Sequence, residues 1–318
     1  IANSGKPFFL SRPRRFGKSL LLSTFEAYFQ GKKELFAGLD IEHLEDKWEK
    51  HPVFHMDLNA RKYERPEDLI AMLNQFLERW EELYGTEKQD RAPEERFGYV
   101  IQKAFEKTGK GVVVLVDEYD KPLLQAIHNE NLLEAYRTIL KAFYGTLKSY
   151  DSCLRFAFLT GVTKFSQVSV FSDLNQLNDI SMSKAYATVC GLTKDELLKN
   201  FKPELEDLAE ENELTFDEVL KVMTQQYDGY HFHPQGEGLY NPFSVLNAFF
   251  KKEFGNYWFQ TGTPTFLVKS LQKADYDLRT QIDGVEASAI TFTEYRAEAD
   301  NPIPLIYQSR YLTIKDYD

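Results

Sequence analysis

The chain has 318 residues, 43% hydrophobic and 27% charged, which suits a soluble protein of about two domains at roughly 150 residues each. With 38 Lys and Arg against 49 Asp and Glu, the net charge of −11 argues against a broad nucleic-acid surface, and composition alone does not decide whether the chain contacts nucleic acid directly. No apolar run approaches the ~20 residues a bilayer demands, and two cysteines are too few for a disulfide scaffold or a zinc cluster.

Cys153 and Cys190 read as small buried hydrophobes in a reducing cytoplasm. The opening "IANSG" has no methionine, so an upstream segment with a targeting signal is left open.

In chain order, "KPFFLS" predicts a short strand, and Leu21, Leu22, Phe25, Tyr28 and Phe29 fall at helical spacing from Ser19 until Gly31. Between them lies "SRPRRFGKSLLL" (Ser11–Leu22). Its Gly17, Lys18 and Ser19 form the second half of the phosphate-loop pattern G-x-x-x-x-G-K-S/T, with Arg12 where the first glycine belongs. Gly17 lets the backbone approach a phosphate, Lys18 supplies a point charge, and Ser19 offers a hydroxyl to Mg²⁺. Arg12, Arg14, Arg15 and Lys18 crowd four cations into seven residues, which suits polyphosphate. Alone, the stretch also reads as a basic turn capping an amphipathic helix.

"PVFHMDL" (Pro52–Leu58) predicts a second strand, with His55 and Asp57 on one face as a satisfied structural pair. "PEDLIAMLNQFLERWEELYG" and "RFGYVIQKAFEKTGK" predict amphipathic crossover helices. Next, "GKGVVVLVDEYDKPLL" contains the β-branched run Val112–Val116, the pattern of a parallel strand buried on both faces, and it ends in Asp117 and Glu118. Ligands gather beyond the carboxyl ends of parallel strands, where a Walker B aspartate would hold Mg²⁺ and the next acid would orient and deprotonate water. The pair alone also reads as a cap for a helix at "DKPLL". Each half-signal predicts the type, order and strand context of the other, which favours a real phosphate loop.

"NLLEAYRTILKAFYGTLKSY" predicts another helix and "LRFAFLTG" (Leu154–Gly161) another strand, so alternation points to a parallel α/β sheet. At its end Thr160, with Thr163 and Lys164, reads either as a γ-phosphate sensor or as a polar turn. Beyond about Gly191, "TKDELLKNF", "TFDEVLKVMTQQYDGYHF" and "NPFSVLNAFFKKEFGNYWF" predict a mainly helical unit, and the acidic "ELEDLAEENE" a solvated helix face or loop. His231 and His233, two apart with no third ligand nearby, suit loop packing or phosphate contact better than zinc. The tail "PIPLIYQSRYLTI" alternates like a strand.

Together "FFLSRPRRFGKSLLLST", "VVVLVDEYDKPL", "FLTGVTKFS" and "YDGYHF...YNPFSVLNAFF" resemble the predicted AAA-ATPase-like family of bacterial and archaeal proteins, over almost the whole chain. That family is similar to the signal-transducing P-loop ATPases, and its loop characteristically reads R-P-R-R-F-G-K-S, so the resemblance makes Arg12 a family trait. It implies nucleotide binding by Phe16 to Leu20 and acidic roles for Asp117 and Glu118. It also implies a preceding segment with a tyrosine-aspartate-lysine-threonine motif, which this chain lacks, and a following nuclease-like domain of the PD-(D/E)XK class that would begin about where this chain stops.

The expected fold is therefore α/β: a P-loop NTPase of the ASCE/AAA-like kind, a parallel sheet flanked by helices, over residues 1–190. A smaller, mainly helical, winged-helix-like lid is expected over 191–318, by fold analogy. The expected function is ATP binding and Mg²⁺-dependent hydrolysis, acting as a switch or motor for an attached nuclease-like effector domain. The alternative is a nucleotide-binding interaction module with little or no hydrolysis. Glu118, Lys18 and Asp117 are the expected catalytic residues, and Arg14, Arg15, Phe16, Gly17, Lys18, Ser19 and Leu20 the nucleotide site. Ser19 and Asp117 are the expected Mg²⁺ ligands. Arg12, Arg14 or Arg15 could neutralise transition-state charge, in cis or from a neighbouring subunit of a homo-oligomer.

Overall fold

The computed structural model describes residues 7–162 and 177–258, with the isolated positions 2, 170, 171, 174, 306 and 312. Its chain divides into two compact units: the described residues of 7–10 and 19–179 form one, and those of 11–18 and 180–258 belong to the other.

The first unit is built on a sheet. β1 (Pro7–Ser11) is buried along its whole length, as its apolar run requires, and leads through the basic loop into α1 (Lys18–Phe29). A short helix α2 (Ile41–Leu44) precedes β2 (Val53–Asp57). Two helices, α3 (Pro66–Tyr84) and α4 (Pro93–Thr108), form the crossover to β3 (Val112–Asp117). Pro66 and Pro93 begin them, where a missing N–H costs nothing, and Gly85 and Gly109 end them. The five-residue α5 (Lys121–Gln125) and α6 (Glu130–Ser149) lead to β4 (Leu154–Gly161), and β5 (Asn178–Asp179) adds a short edge.

The strands form a five-stranded parallel sheet in the order β2-β3-β4-β1-β5, flanked by helices, as a P-loop-like fold requires. One strand, β4, separates the loop-bearing β1 from the acid-bearing β3. The register pairs Asp57 with Asp117 and Val116 with Leu159, so the strand ends come level.

Aromatic stacking supplies much of this unit's core. Phe97 of α4 lies 4.3 Å from Phe143 of α6, nearly coplanar at 7°, and Phe54 of β2 stacks on Trp80 of α3 at 4.4 Å. Such pairs are worth about 0.5–1.5 kcal/mol beyond the area they bury. Between α3 and α4 the buried Arg96 meets both oxygens of Glu81 at 2.7 Å, a fork geometry that offsets the desolvation of two charges.

The second unit is mainly helical over its described C-terminal part: α7 (Lys194–Asn200), α8 (Lys202–Glu211), α9 (Phe216–Tyr227) and α10 (Pro242–Lys251). Thr193 with Glu196, and Thr215 with Glu218, close reciprocal caps that satisfy the first amides of α7 and α9. Leu197, Leu205, Leu208, Val219, Met223, Tyr240 and Val245 form its core. The acidic stretch falls on α8, which buries Leu205 and Leu208 and leaves its carboxylates outside. The strand-like tail lies outside the described residues, apart from Ile306 and Leu312. No described helix is long and apolar enough to cross a membrane. Neither cysteine is in a disulfide, and both are half-buried rather than fully buried: Cys153 ends a short 3-10 helix before β4, and Cys190 packs against the cluster of Phe16, Phe232 and Leu239.

Candidate functional site

At the carboxyl end of β3, Asp117 is 4% exposed. Thr160 donates its hydroxyl to Asp117 Oδ1 at 2.6 Å, and Ser19 donates to Oδ2 at 2.5 Å. Two hydroxyl donors offset the cost of burying this carboxylate. Of the two readings open for Thr160, the geometry shows a fully buried hydroxyl spent on Asp117, with its carbonyl accepting from the amide of Tyr119 at 3.0 Å. Thr163 and Lys164 lie outside the described residues.

Glu118 follows in the left-handed region, φ 51°, half-buried, and its carboxylate has no hydrogen bond or ion pair among the described residues. The acid pair does not cap α5: the residue at that cap is Asp120, and its side chain makes no capping bond. Tyr119 is fully buried, and burial first, then the neighbouring Asp120 carboxylate, pushes its phenol well above the ordinary range, so it stays neutral and packs.

The basic loop groups with the other unit. Its anchor is Arg12, which is fully buried. The guanidinium donates from Nε to the carbonyl of Val189 at 2.8 Å, from Nη1 to those of Ser181 at 2.8 Å and Ser11 at 3.0 Å, and from Nη2 to that of Tyr186 at 2.8 Å. Its planar face lies 3.9 Å from the Phe232 ring centre. The expectation that Arg12 serves phosphate or a neighbouring carboxylate is corrected by this geometry: among the described residues the fork of the guanidinium holds backbone carbonyls and its flat face packs on the Phe232 ring, which glycine cannot do. Ser181 adds its hydroxyl as acceptor to the Ser11 amide at 2.8 Å.

Arg14 is half-buried and Arg15 exposed; neither has a hydrogen bond or ion pair among the described residues, and Arg15 lies 4.6 Å over the Phe243 ring. Phe16 is buried edge-to-face against Tyr230 at 4.8 Å and Phe232 at 5.6 Å. Arg15 at φ 69° and Gly17 at φ 89° bend the loop sharply, the kind of backbone that turns successive amides into an anion nest. Lys18, 5% exposed, donates to the carbonyl of Pro13 at 3.0 Å. Ser19 and Leu20 are exposed in the first turn of α1, which carries no acidic residue to oppose an anion.

Other expectations resolve differently. His55 pairs with Glu26 of α1 at 2.7 Å rather than with Asp57, which instead accepts the Asn59 amide at 2.8 Å. The Asp57 carboxylate is taken by the amide just downstream, which leaves Glu26 on α1 to meet the imidazole. His231 meets the carbonyl of Gly236 at 3.0 Å and His233 accepts the Gln235 amide at 3.0 Å, so both stitch their own loop; no group of metal-ligand type occurs among the described residues. Sequence reasoning missed Asp120, Ser181 and the carbonyls of Tyr186 and Val189. The only signal was the second acid of "DEYD".

Ser19 and Asp117 offer hard oxygen donors in contact, which fits Mg²⁺. Residues 1–171 match the model of a family described as Predicted AAA-ATPase. An uncharacterized protein in the vnfD 5′ region of Azotobacter chroococcum mcd 1 is 39% identical over 324 residues, covering 99% of this chain and 58% of that protein. The chain thus spans less than two thirds of that relative's length. No solved structure matches significantly.

Proposed function

Because the chain belongs to the Predicted AAA-ATPase family, we propose that it binds ATP with Mg²⁺ and hydrolyses the terminal phosphate. The observation that carries the reading is the shared carboxylate: Asp117 accepts from both Ser19, the residue after Lys18, and Thr160 at the end of the intervening strand. A structural turn has no need to join those three elements. In this reading the amides of Phe16 to Leu20 and the charges of Lys18, Arg14 and Arg15 hold the phosphates. Ser19 and Asp117 hold Mg²⁺, which when bound neutralises charge on the β- and γ-phosphate oxygens. Glu118, whose carboxylate has no partner among the described residues, takes the proton of the attacking water. Arg14 or Arg15 meets the developing charge, in cis or from a second copy in a homo-oligomer.

The same proposal assigns residues 1–190 to the ATPase domain and 191–318 to a winged-helix-like lid in a cytoplasmic protein. Hydrolysis would act as a switch or motor for a nuclease-like domain of a longer polypeptide. The half-spent state of the loop favours one other reading, a binding module that signals by its nucleotide state with little turnover. ATP affinity and turnover, measured with and without Mg²⁺, test both. No ATP binding at millimolar concentration sinks both readings; tight Mg²⁺-dependent binding without turnover leaves the module alone.

A further inference from the structure

We propose that Asp120 is a positioning residue for hydrolysis, holding Glu118 in place through the end of β4; this rests on the ATPase reading above. Glu118 occupies the left-handed region at φ 51°, where glutamate has no local hydrogen bond to offset the conformational cost that asparagine or glycine escapes. Such a residue persists only where its surroundings over-determine it. Here the Glu118 carbonyl accepts the Lys121 amide at 3.0 Å, and its flanking residues are fixed as well. The Tyr119 amide donates to the carbonyl of Thr160 at 3.0 Å, and the Tyr119 ring stands edge-on to Phe9 at 5.4 Å.

Asp120 completes the clamp. It is fully buried, it sits where a capping residue of α5 would sit, and its side chain does not cap. Both of its oxygens turn back instead to accept the Val162 amide, at 3.3 and 3.1 Å. Gly161 between the two anchored residues leaves no room for slack: a β-carbon there would come within 2.6 Å of the Tyr119 ring and 3.0 Å of Asp120 Oδ1. The turn 117–120 is therefore bolted to 160–162 on both sides of Glu118, and its carboxylate, which has no partner among the described residues, is held by its neighbours.

The test uses the 318-residue chain, with single-turnover hydrolysis of MgATP, ATP affinity by calorimetry and melting temperature measured side by side. Asp120→Ala should slow hydrolysis about 10²-fold, the scale of a misplacement near 1 Å, with affinity within about 3-fold of the parent. Asp120→Asn keeps an oxygen for the Val162 amide and should recover a rate within about 3-fold of the parent. Gly161→Ala should reproduce the alanine effect from the opposite side, and it carries the test if Asp120→Ala does not fold. Equal loss of rate and affinity, or an asparagine variant as slow as alanine, overturns the positioning role. An active parent with an equally active Asp120→Ala overturns this inference alone. A parent that binds ATP and never hydrolyses it overturns the ATPase reading with it.

Discussion

The basic loop and the acid end of the sheet handle charge in opposite ways. In the loop, donors are spent on neutral backbone: Lys18 on Pro13, Arg12 on Ser11, Ser181, Tyr186 and Val189. A carbonyl fixes where an ammonium sits without cancelling its charge, so Lys18 is placed in advance and still attracts an anion. At the acid end, Asp117 is fixed by two hydroxyls while Glu118, among the described residues, is fixed through backbone, its own carbonyl on the Lys121 amide and its neighbours on β4. The first arrangement suits binding, where a rigid cation lowers the entropy lost on association. The second suits chemistry, where one group must be placed and yet free to take a proton.

The sharpest break in this comparison is Glu118→Gln. If the acid end does chemistry and the loop binding, hydrolysis should fall by about 10²–10⁴-fold, with ATP affinity unchanged, because the amide keeps shape and loses the base. A single-turnover rate equal to that of an active parent places the base elsewhere. Asp117→Ala sharpens the division on the other side, weakening affinity only when Mg²⁺ is present.

Lys18→Ala should cost about 30- to 1000-fold in ATP affinity, on the order of 2–4 kcal/mol for a charge touching phosphates in a partly dry site. Unchanged affinity by calorimetry removes the nucleotide site from this loop. Because the Lys18 partner among the described residues is a single carbonyl, the variant should melt close to the parent.

Arg12→Gly restores the general loop pattern, and it should destabilise the protein by about 2–4 kcal/mol, since it leaves four carbonyls short of a donor and a void against Phe232. Arg12→Lys should fall close behind, because one ammonium cannot span a fork of acceptors. Chemical denaturation with both variants as stable as the parent would show that Arg12 is a spacer.

That residue marks where sequence reading stopped. The strands were legible because Val112–Val116 and Leu154–Gly161 are apolar runs with clear bounds, and the helices because α3, α4 and α6 keep a strict apolar stripe. Asp117 was legible from its place at a strand end. The Arg12 acceptors were not: Ser181, Tyr186 and Val189 lie 169, 174 and 177 residues away and act through carbonyls, which every residue has. Glu118 looked like an ordinary strand-end acid because no propensity assigns φ 51° to glutamate; only the packing of Tyr119 and Gly161 does. His55 found its partner on α1, which period-two reasoning along one strand cannot see.

The smallest expected effect separates the two cations that the loop leaves unspent. Among the described residues Arg15 has only the face of Phe243 for company, a contact worth about 0.5–1 kcal/mol where solvent reaches it. Its backbone is left-handed at φ 69°, so alanine would mix loss of charge with strain. Asparagine tolerates that conformation and removes the charge alone. Arg15→Asn should therefore melt within a few degrees of the parent and bind ATP about 3- to 10-fold more weakly, the scale of one solvent-screened charge on a phosphate. The deficit should shrink as salt rises, since screening already weakens what the substitution removes. Arg14→Gln, made at the half-buried neighbour, should lose more affinity and depend less on salt. If both variants bind as the parent does across the salt range, the loop holds its nucleotide with Lys18 and backbone amides alone, and neither arginine is a phosphate ligand.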